Sequence, residues 1–348
     1  MHLAVFLPNW VGDVVMATPA LRALRAAHPD ARITGVLRPY VAEVLEGTAF
    51  LDRTVCYDPK SRSREQRSWA VVRELRKSSI DTAILLTNGF RTAAMAWAAG
   101  AKRRVGYKLH YRSWLLTDPV PAPHDVNRRL ALPALDAYLQ LVRQVGGGPE
   151  SPRLELATTD VNERAADEVL RGFGWREREP FAVLNPGGAF GPAKLWPVEH
   201  FAILARRLAD ERRLNVLVHC GPNERELARR IVRIAERPRV VSLADAQLGL
   251  GLSKALVRRS HLLVTTDSGV RFFGAAFGVP VVSLFGPTDA SWSAIHYAGE
   301  TCLQKSVPCG PCRQRECPLE HHRCMRDLVP EEVWQACRRS LSVAAQAA

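Results

Sequence analysis

LLVTTDSGVRFFGAAFGVPVVSLFGPT, residues 262–288, reads as strand, tight loop, helix and strand in succession. Leu262 to Val264 is an apolar run, and Thr265, Thr266, Asp267, Ser268 and Gly269 make a small polar loop. Val270 to Phe277 is apolar enough for a buried helix. Gly278 and Pro280 stop it, one for want of a Cβ and the other for want of an N–H. Val281 to Phe285 is a second apolar strand, closed by Gly286 and Pro287. This order implies a βαβ unit.

In such a unit the loop lies at the carboxyl end of the first strand, where free helix N–H groups and the positive end of the dipole favour an anion. Gly269 and the small side chains of Thr266 and Ser268 let a phosphate approach the backbone. Asp267 admits two readings: a cap on the following helix, or an acceptor from neutral donors such as hydroxyls.

Toward the amino side of this stretch the same alternation recurs. Asn162 to Phe173 reads as a helix and Phe181 to Leu184 as a strand. The strand opens into Asn185, Pro186, Gly187, Gly188, Ala189, Phe190, Gly191, Pro192, Ala193 and Lys194, a glycine-rich turn with a lysine ahead of a helix starting near Pro197. It has the physics of a phosphate cradle without the GxxxxGK[ST] spelling, and Lys194 is suited to balance diphosphate charge or to lie solvated. After the strand Asn215 to His219, Glu224 either holds ribose hydroxyls or caps the helix from Arg225.

The first half is built the same way. Leu3 to Leu7 is a strand, residues 8–12 a loop, and Asp13 to Ala27 a helix with Asp13 at its start. Asp13 is either a helix cap or a general base kept ionised by the dipole at the strand's carboxyl end. Strands at Arg32 to Leu37, Arg53 to Cys56, Thr82 to Leu86 and Arg104 to Gly106 alternate with helices at Val41 to Leu45, Arg64 to Lys77 and Arg91 to Ala99. A loop to Asn127 and a helix from Arg129 to Val145 complete this half. The whole is an α/β chain of two doubly wound, parallel-sheet domains. Gly146, Gly147, Gly148, Pro149, Ser151 and Pro152 form the most linker-like stretch. Domains are expected at 1–150 and 155–329, with a terminal helix at 330–345 that returns to the first.

At 348 residues the chain suits two domains. It has no run of about 18 apolar residues, and its start flows into a strand instead of reading as a secretion signal. The formal net charge of +13 implies an acidic partner or working surface. The cations crowd the first half, from Arg62 to Lys77 and from Lys102 to Arg112, as solvated faces or an anionic docking region. No recognition motif with interleaved aromatics accompanies them, so nucleic acid is not expected. The chain lacks an Asp-x-Asp pair for a metal-bridged diphosphate, and Gly-x-Gly-x-x-Gly after Leu7, which argues against a nicotinamide dehydrogenase. Cys309, Cys312, Cys317 and Cys324, with His321 and His322 among them, fit no standard zinc ribbon and are expected as reduced thiols with no metal.

PNWVGDVVMATPALRAL (8–24), NPGGAFGPAKLWP (185–197) and TTDSGVRFFGAAFGVPVVSLFGPT (265–288) together resemble the ADP-heptose:lipopolysaccharide heptosyltransferases. CGPCRQRECPLEHHRCM (309–325) resembles their heptosyltransferase II branch. The resemblance implies a GT-B fold, two Rossmann-like domains facing across a cleft, with the acceptor on the first and the nucleotide-sugar on the second. It implies an inverting, metal-independent enzyme with no cofactor that moves heptose from ADP-heptose to the lipopolysaccharide inner core, in the cytoplasm at the inner membrane surface. Asp13 matches the general base, Lys194 the diphosphate contact, Thr266, Asp267, Ser268 and Gly269 the nucleotide loop, and Glu224 the ribose contact. One departure is Phe272, where the family pattern carries a histidine; Arg271 replaces that donor if it faces the cleft. The alternatives are a transferase or epimerase for another nucleotide-sugar, or an inactive binder of anionic ligands.

Overall fold

Every residue of β1, His2–Phe6, is buried, as a strand covered by helices on both faces must be. In the computed structural model, which describes residues 1–122, 132–176 and 179–347, this strand lies in the middle of the first of two units, Met1–Ala157 with Trp292–His296. Its six-stranded sheet has the order β3-β2-β1-β4-β5-β6, with β2 at Arg32–Leu37, β3 at Arg53–Cys56, β4 at Thr82–Leu85, β5 at Arg103–Tyr107 and β6 at Asp118–Val120. All neighbours run parallel, Val5 lying between Gly35 and Ile84.

One sheet face carries α1 (Val11–Met16), α2 (Thr18–Ala27) and α5 (Ala134–Arg143), which pack on one another. The other carries α3 (Ser68–Lys77) and α4 (Phe90–Ala98). Alternate strand residues Ala4, Phe6, Ala83 and Leu85 meet Val71, Val72, Leu75, Ala93, Met95 and Ala96 in one core cluster there. The single helix expected over 13–27 is two, because Pro19 has no N–H to give Val15 and its ring crowds that carbonyl. The Thr18 hydroxyl donates to Val15 O instead, at 2.7 Å. A 3-10 turn, Arg64–Gln66, precedes α3. Residues 123–131, holding the end of the expected loop and the start of the expected helix at Arg129, lie outside the described residues; of the rest, expected to Val145, α5 covers Ala134–Arg143.

The second unit, Thr158–Ser291 with Tyr297–Ala348, begins with α6 (Asp160–Gly172), whose Thr159 and Asn162 form a reciprocal capping box. It continues through β7 (Phe181–Asn185), α7 (Val198–Glu211), β8 (Asn215–Val218), α8 (Arg225–Ala235), β9 (Val240–Ser242), α9 (Leu250–Arg259), β10 (Leu262–Thr266), α10 (Arg271–Phe277) and β11 (Val281–Phe285). β12 (Glu300–Gln304), α11 (Arg323–Arg326) and α12 (Pro330–Ala347) follow. The sheet order is β12-β11-β10-β7-β8-β9, again parallel. The decisive stretch is therefore β10, loop, α10 and β11, with Gly278 left-handed at φ 74° as the helix stop.

Two boundaries differ from expectation. The division falls after Ala157 because residues 150–155 are pinned to α2: Arg22 donates to Ser151 O at 2.8 Å and to Glu155 at 2.9 Å. The terminal helix, expected on the first domain, packs in the second unit against α7, β10, β11 and β12. It buries Val333 and Trp334 there, with the Arg207 guanidinium 4.7 Å from the Trp334 ring centre. The edge strands β6, β9 and β12 escaped the reading because three to five residues, some half exposed, show too little periodicity.

Candidate functional site

Because β7 and β10 are neighbours in register, Thr265 opposite Asn185, the glycine-rich turn and the Thr266–Gly269 loop leave the sheet side by side. The Thr266 hydroxyl donates to Gly187 O at 2.7 Å. The Asn185 amide donates to Thr265 and Ser268 hydroxyls at 2.9 and 2.8 Å. Lys194, 8% exposed, donates to Asp267 O at 3.0 Å and to its carboxylate at 2.5 Å, and the Thr288 hydroxyl adds a bond to that carboxylate at 2.7 Å. Asp267 is thus no helix cap. Its charge is matched by a largely buried lysine, itself 4.6 Å from the Phe190 ring centre.

Glu224 closes this region from the β8 side. Its carboxylate accepts the Gly221 N–H at 2.7 Å and lies so near the turn that a Cβ on Gly187 would fall 2.0 Å from Glu224 Cδ. Of the two readings of Glu224, ribose contact or cap on the helix from Arg225, the cap is not made: its carboxylate closes the preceding 3-10 turn, Pro222–Glu224, and makes no side-chain bond to the start of α8. Gly188 brings its backbone near Ser268 and Thr266, and Gly269 stays in the half-buried loop ahead of α10. Lys194, Glu224, Thr266, Asp267 and Ser268 therefore gather around one turn.

The reading missed what stands behind them. His219, just past β8, is buried, and burial lowers its pKa from 6.5 to about 4, so it is neutral. The Asn185 NH₂ faces hydroxyl oxygens, so its carbonyl oxygen faces the imidazole at 2.8 Å and fixes the proton on Nδ1. Nε2 meets the Ser253 hydroxyl of α9 at 2.8 Å. A polar residue ending an apolar strand was the available signal. Arg271 does not replace the missing histidine: it is 1% exposed and forks onto Glu300 through Nε and Nη2, the latter at 2.8 Å. The Ser283 hydroxyl joins the same carboxylate at 2.5 Å.

In the first unit Asp13 is the third residue of α1, not its cap; Trp10 holds the cap position without a side-chain bond. Asp13 is half-buried on the wall of a cavity of about 320 Å³ shared with Trp10, Arg38, Asn88, Arg91 and Tyr138. Burial, and then the Asp13 charge, hold the Tyr138 hydroxyl well above its ordinary pKa. Arg38 is paired with Asp58 at 2.6 Å.

Behind the Thr87–Gly89 wall stands Arg112, one of the cations expected on solvated faces or an anionic docking region, but 0% exposed. Its guanidinium donates to Tyr107 O at 3.0 Å, Thr87 O at 2.5 Å and Asn88 Oδ1 at 3.2 Å. Burial lowers its pKa to about 10, which leaves it charged at neutral pH. Carbonyl dipoles rather than a carboxylate answer this charge among the described residues.

A hollow of about 890 Å³ lies at the opposite, amino end of β7, rimmed by the paired Glu163, Asp167, Arg258 and Arg259 and holding none of the expected site residues. Cys309, Cys312, Cys317 and Cys324 line one hollow of about 20 Å³ with His321 and His322, all four as free thiols. Burial, and then the neighbouring thiols, raise the pKa of Cys324. Among the described residues no three His, Cys, Asp or Glu are arranged to hold a metal ion.

The family model "Glycosyltransferase family 9 (heptosyltransferase)" matches residues 68–323. Lipooligosaccharide heptosyltransferase 2 of Campylobacter jejuni subsp. jejuni serotype O:2 is 26% identical over 345 residues, covering 98% of each chain. The structure of Escherichia coli ADP-heptose lps heptosyltransferase II superposes with a TM-score of 0.79 at 23% identity, covering 98% of each chain. That of the family 9 glycosyl transferase from Veillonella parvula DSM 2008 superposes with a TM-score of 0.83 at 24% identity, covering 98% of this chain and 97% of that one. The two parallel six-stranded α/β units are those of a GT-B glycosyltransferase. With the family pattern spanning most of both units, the chain belongs to glycosyltransferase family 9, the heptosyltransferases.

Proposed function

We propose that this heptosyltransferase moves heptose from ADP-heptose to the inner core of lipopolysaccharide, with inversion and without a metal, in the cytoplasm at the membrane surface. The observation that carries the reading is Asp13, a half-buried carboxylate on the wall of a cavity that Arg38 and Arg91 also line. Such a cavity suits an acceptor that bears carboxylates or phosphates. Asp13 takes the proton of the acceptor hydroxyl as its oxygen bonds to the anomeric carbon. The bond from that carbon to the diphosphate oxygen breaks on the opposite face, and ADP leaves with the electron pair.

In the second unit Lys194, the backbone N–H groups of the glycine turn and the Ser268 hydroxyl meet the charge of the departing diphosphate, while Thr266 holds the turn in place through Gly187 O. Asp267 aims the Lys194 ammonium, and Glu224 accepts from the ribose hydroxyls. Metal independence is supported by a cation built into the site and by a sequence without an Asp-x-Asp pair.

The test is turnover of ADP-heptose with an inner-core acceptor lacking the transferred heptose, and product analysis by NMR for the anomeric configuration. Asp13→Asn should lower kcat by about 100-fold or more with donor binding retained. A retained configuration, undiminished turnover by Asp13→Asn, or stabilisation by UDP- or GDP-sugars in preference to ADP-sugars would each overturn the reading.

A further inference from the structure

α3 turns Val71, Val72 and Leu75 into the core and leaves Trp69, Arg73, Arg76 and Lys77 exposed, a stripe at helical spacing. α4 lies alongside. Its Ala93, Met95 and Ala96 enter the same core cluster, while Phe90 and Trp97, two turns apart, are 46% and 58% exposed. Arg76 Nε donates to Ala98 O at 2.6 Å, joining the two helix ends. The loop after β5 extends the surface: Tyr111 is 93% and Trp114 70% exposed, and the Trp114 ring stands 6.0 Å from that of Phe90. Leu115 and Leu116 of that loop share the core cluster, so the three elements cover one side of the sheet.

A soluble surface rarely presents five large aromatics on one side. We propose that this α3–α4 face is the surface on which the enzyme seats itself on an anionic lipid bilayer, the aromatics entering the interfacial layer and the arginines and lysine meeting the headgroups. Charge selects the occupant. Glu74, the carboxylate on α3, is turned away and bound to Arg53 at 2.5 Å, so the stripe is cationic throughout. A second copy would set like charges against like. The aromatic rings stand outward instead of lining a groove, which favours a bilayer over a nucleic-acid strand. The inference rests on the reading of the acceptor as a membrane-anchored glycan, and the side chains that carry it are not those given roles in transfer.

The experiment compares co-sedimentation of the whole enzyme with phosphatidylcholine vesicles and with vesicles that also contain phosphatidylglycerol, together with tryptophan fluorescence. Binding to the anionic vesicles only, with a blue shift, is expected. Trp69→Ser/Trp97→Ser/Trp114→Ser, or Arg73→Glu/Lys77→Glu, should weaken it by about 10-fold or more. Both variants should keep wild-type turnover on a deacylated, soluble acceptor and lose it on acceptor embedded in vesicles. Equal binding to neutral vesicles, undiminished binding by both variants, a dimer that only the tryptophan variant dissolves, or preference for single-stranded nucleic acid over vesicles would overturn the proposal. An enzyme that binds anionic vesicles through this face yet transfers no heptose would sink the proposed function and leave the surface standing.

Discussion

At the scale of single residues, side chains that a sequence suggests as solvated or free are spoken for. Lys194 and Asp267 cancel each other's charge in a bridge whose two side chains are 10% and 12% exposed, which explains how a carboxylate can stand in the loop proposed to meet the diphosphate. Such a pair costs solvation of both ions, and neither partner is tolerable there alone. His219 makes a pH-dependent contribution. The unfolded chain takes up its proton near pH 6.5, whereas the folded imidazole refuses it until about 4. Its neutral-state stability is therefore complete above about pH 6.5 and is lost as pH falls toward 4, to the extent of about 3 kcal/mol. Urea unfolding across this range should show the loss in the wild type, and His219→Gln should flatten that part of the slope. An unchanged slope would assign the acid sensitivity elsewhere.

At the scale of elements, the loops of the candidate site are held by close backbone approach. A Cβ on Gly187 would collide with the Glu224 carboxyl group, the mobile end of a half-buried side chain. Gly187→Ala should therefore fold with little loss of stability, since the glutamate can swing aside, but raise KM for the nucleotide-sugar about 10-fold by displacing that carboxylate. Steady-state kinetics with thermal melting separate the two effects, and a large fall in Tm would show that Glu224 cannot move. Gly191 differs in kind: with φ 152°, its Cβ would lie 2.6 Å from the backbone oxygen of Arg315. Gly191→Ala should destabilise the unit by about 1–3 kcal/mol or more, because no side-chain rotation relieves that contact.

At the scale of the whole molecule, each unit carries its own parallel sheet, and the terminal helix belongs to the core of the second. Trp334 is 1% exposed and Val333, Ala336 and Cys337 are fully buried. Trp334→Ala should cost about 3–5 kcal/mol in the second unit. Scanning calorimetry should show that transition moving down in temperature and still responding to ADP-sugar, while a transition insensitive to nucleotide holds its position. A shift of the insensitive transition alone would place the helix elsewhere.

Local chemistry in the chain was enough for the α/β class, for the order of most strands and helices, and for the positions of Asp13, Lys194, Glu224 and the Thr266–Gly269 loop, because apolar periodicity and glycine or proline punctuation act over a few residues. Short edge strands and the break at Pro19 lay at the limit of that signal. The partners of the site residues were decided only by tertiary structure. Lys194 meets Asp267 across 73 positions and Asn185 meets Ser268 across 83, and both meetings depend on β10 settling beside β7. The burial of Arg112 and Arg271 likewise follows from which elements close over them. No pattern with a period of a few residues encodes a neighbour that arrives from so far along the chain.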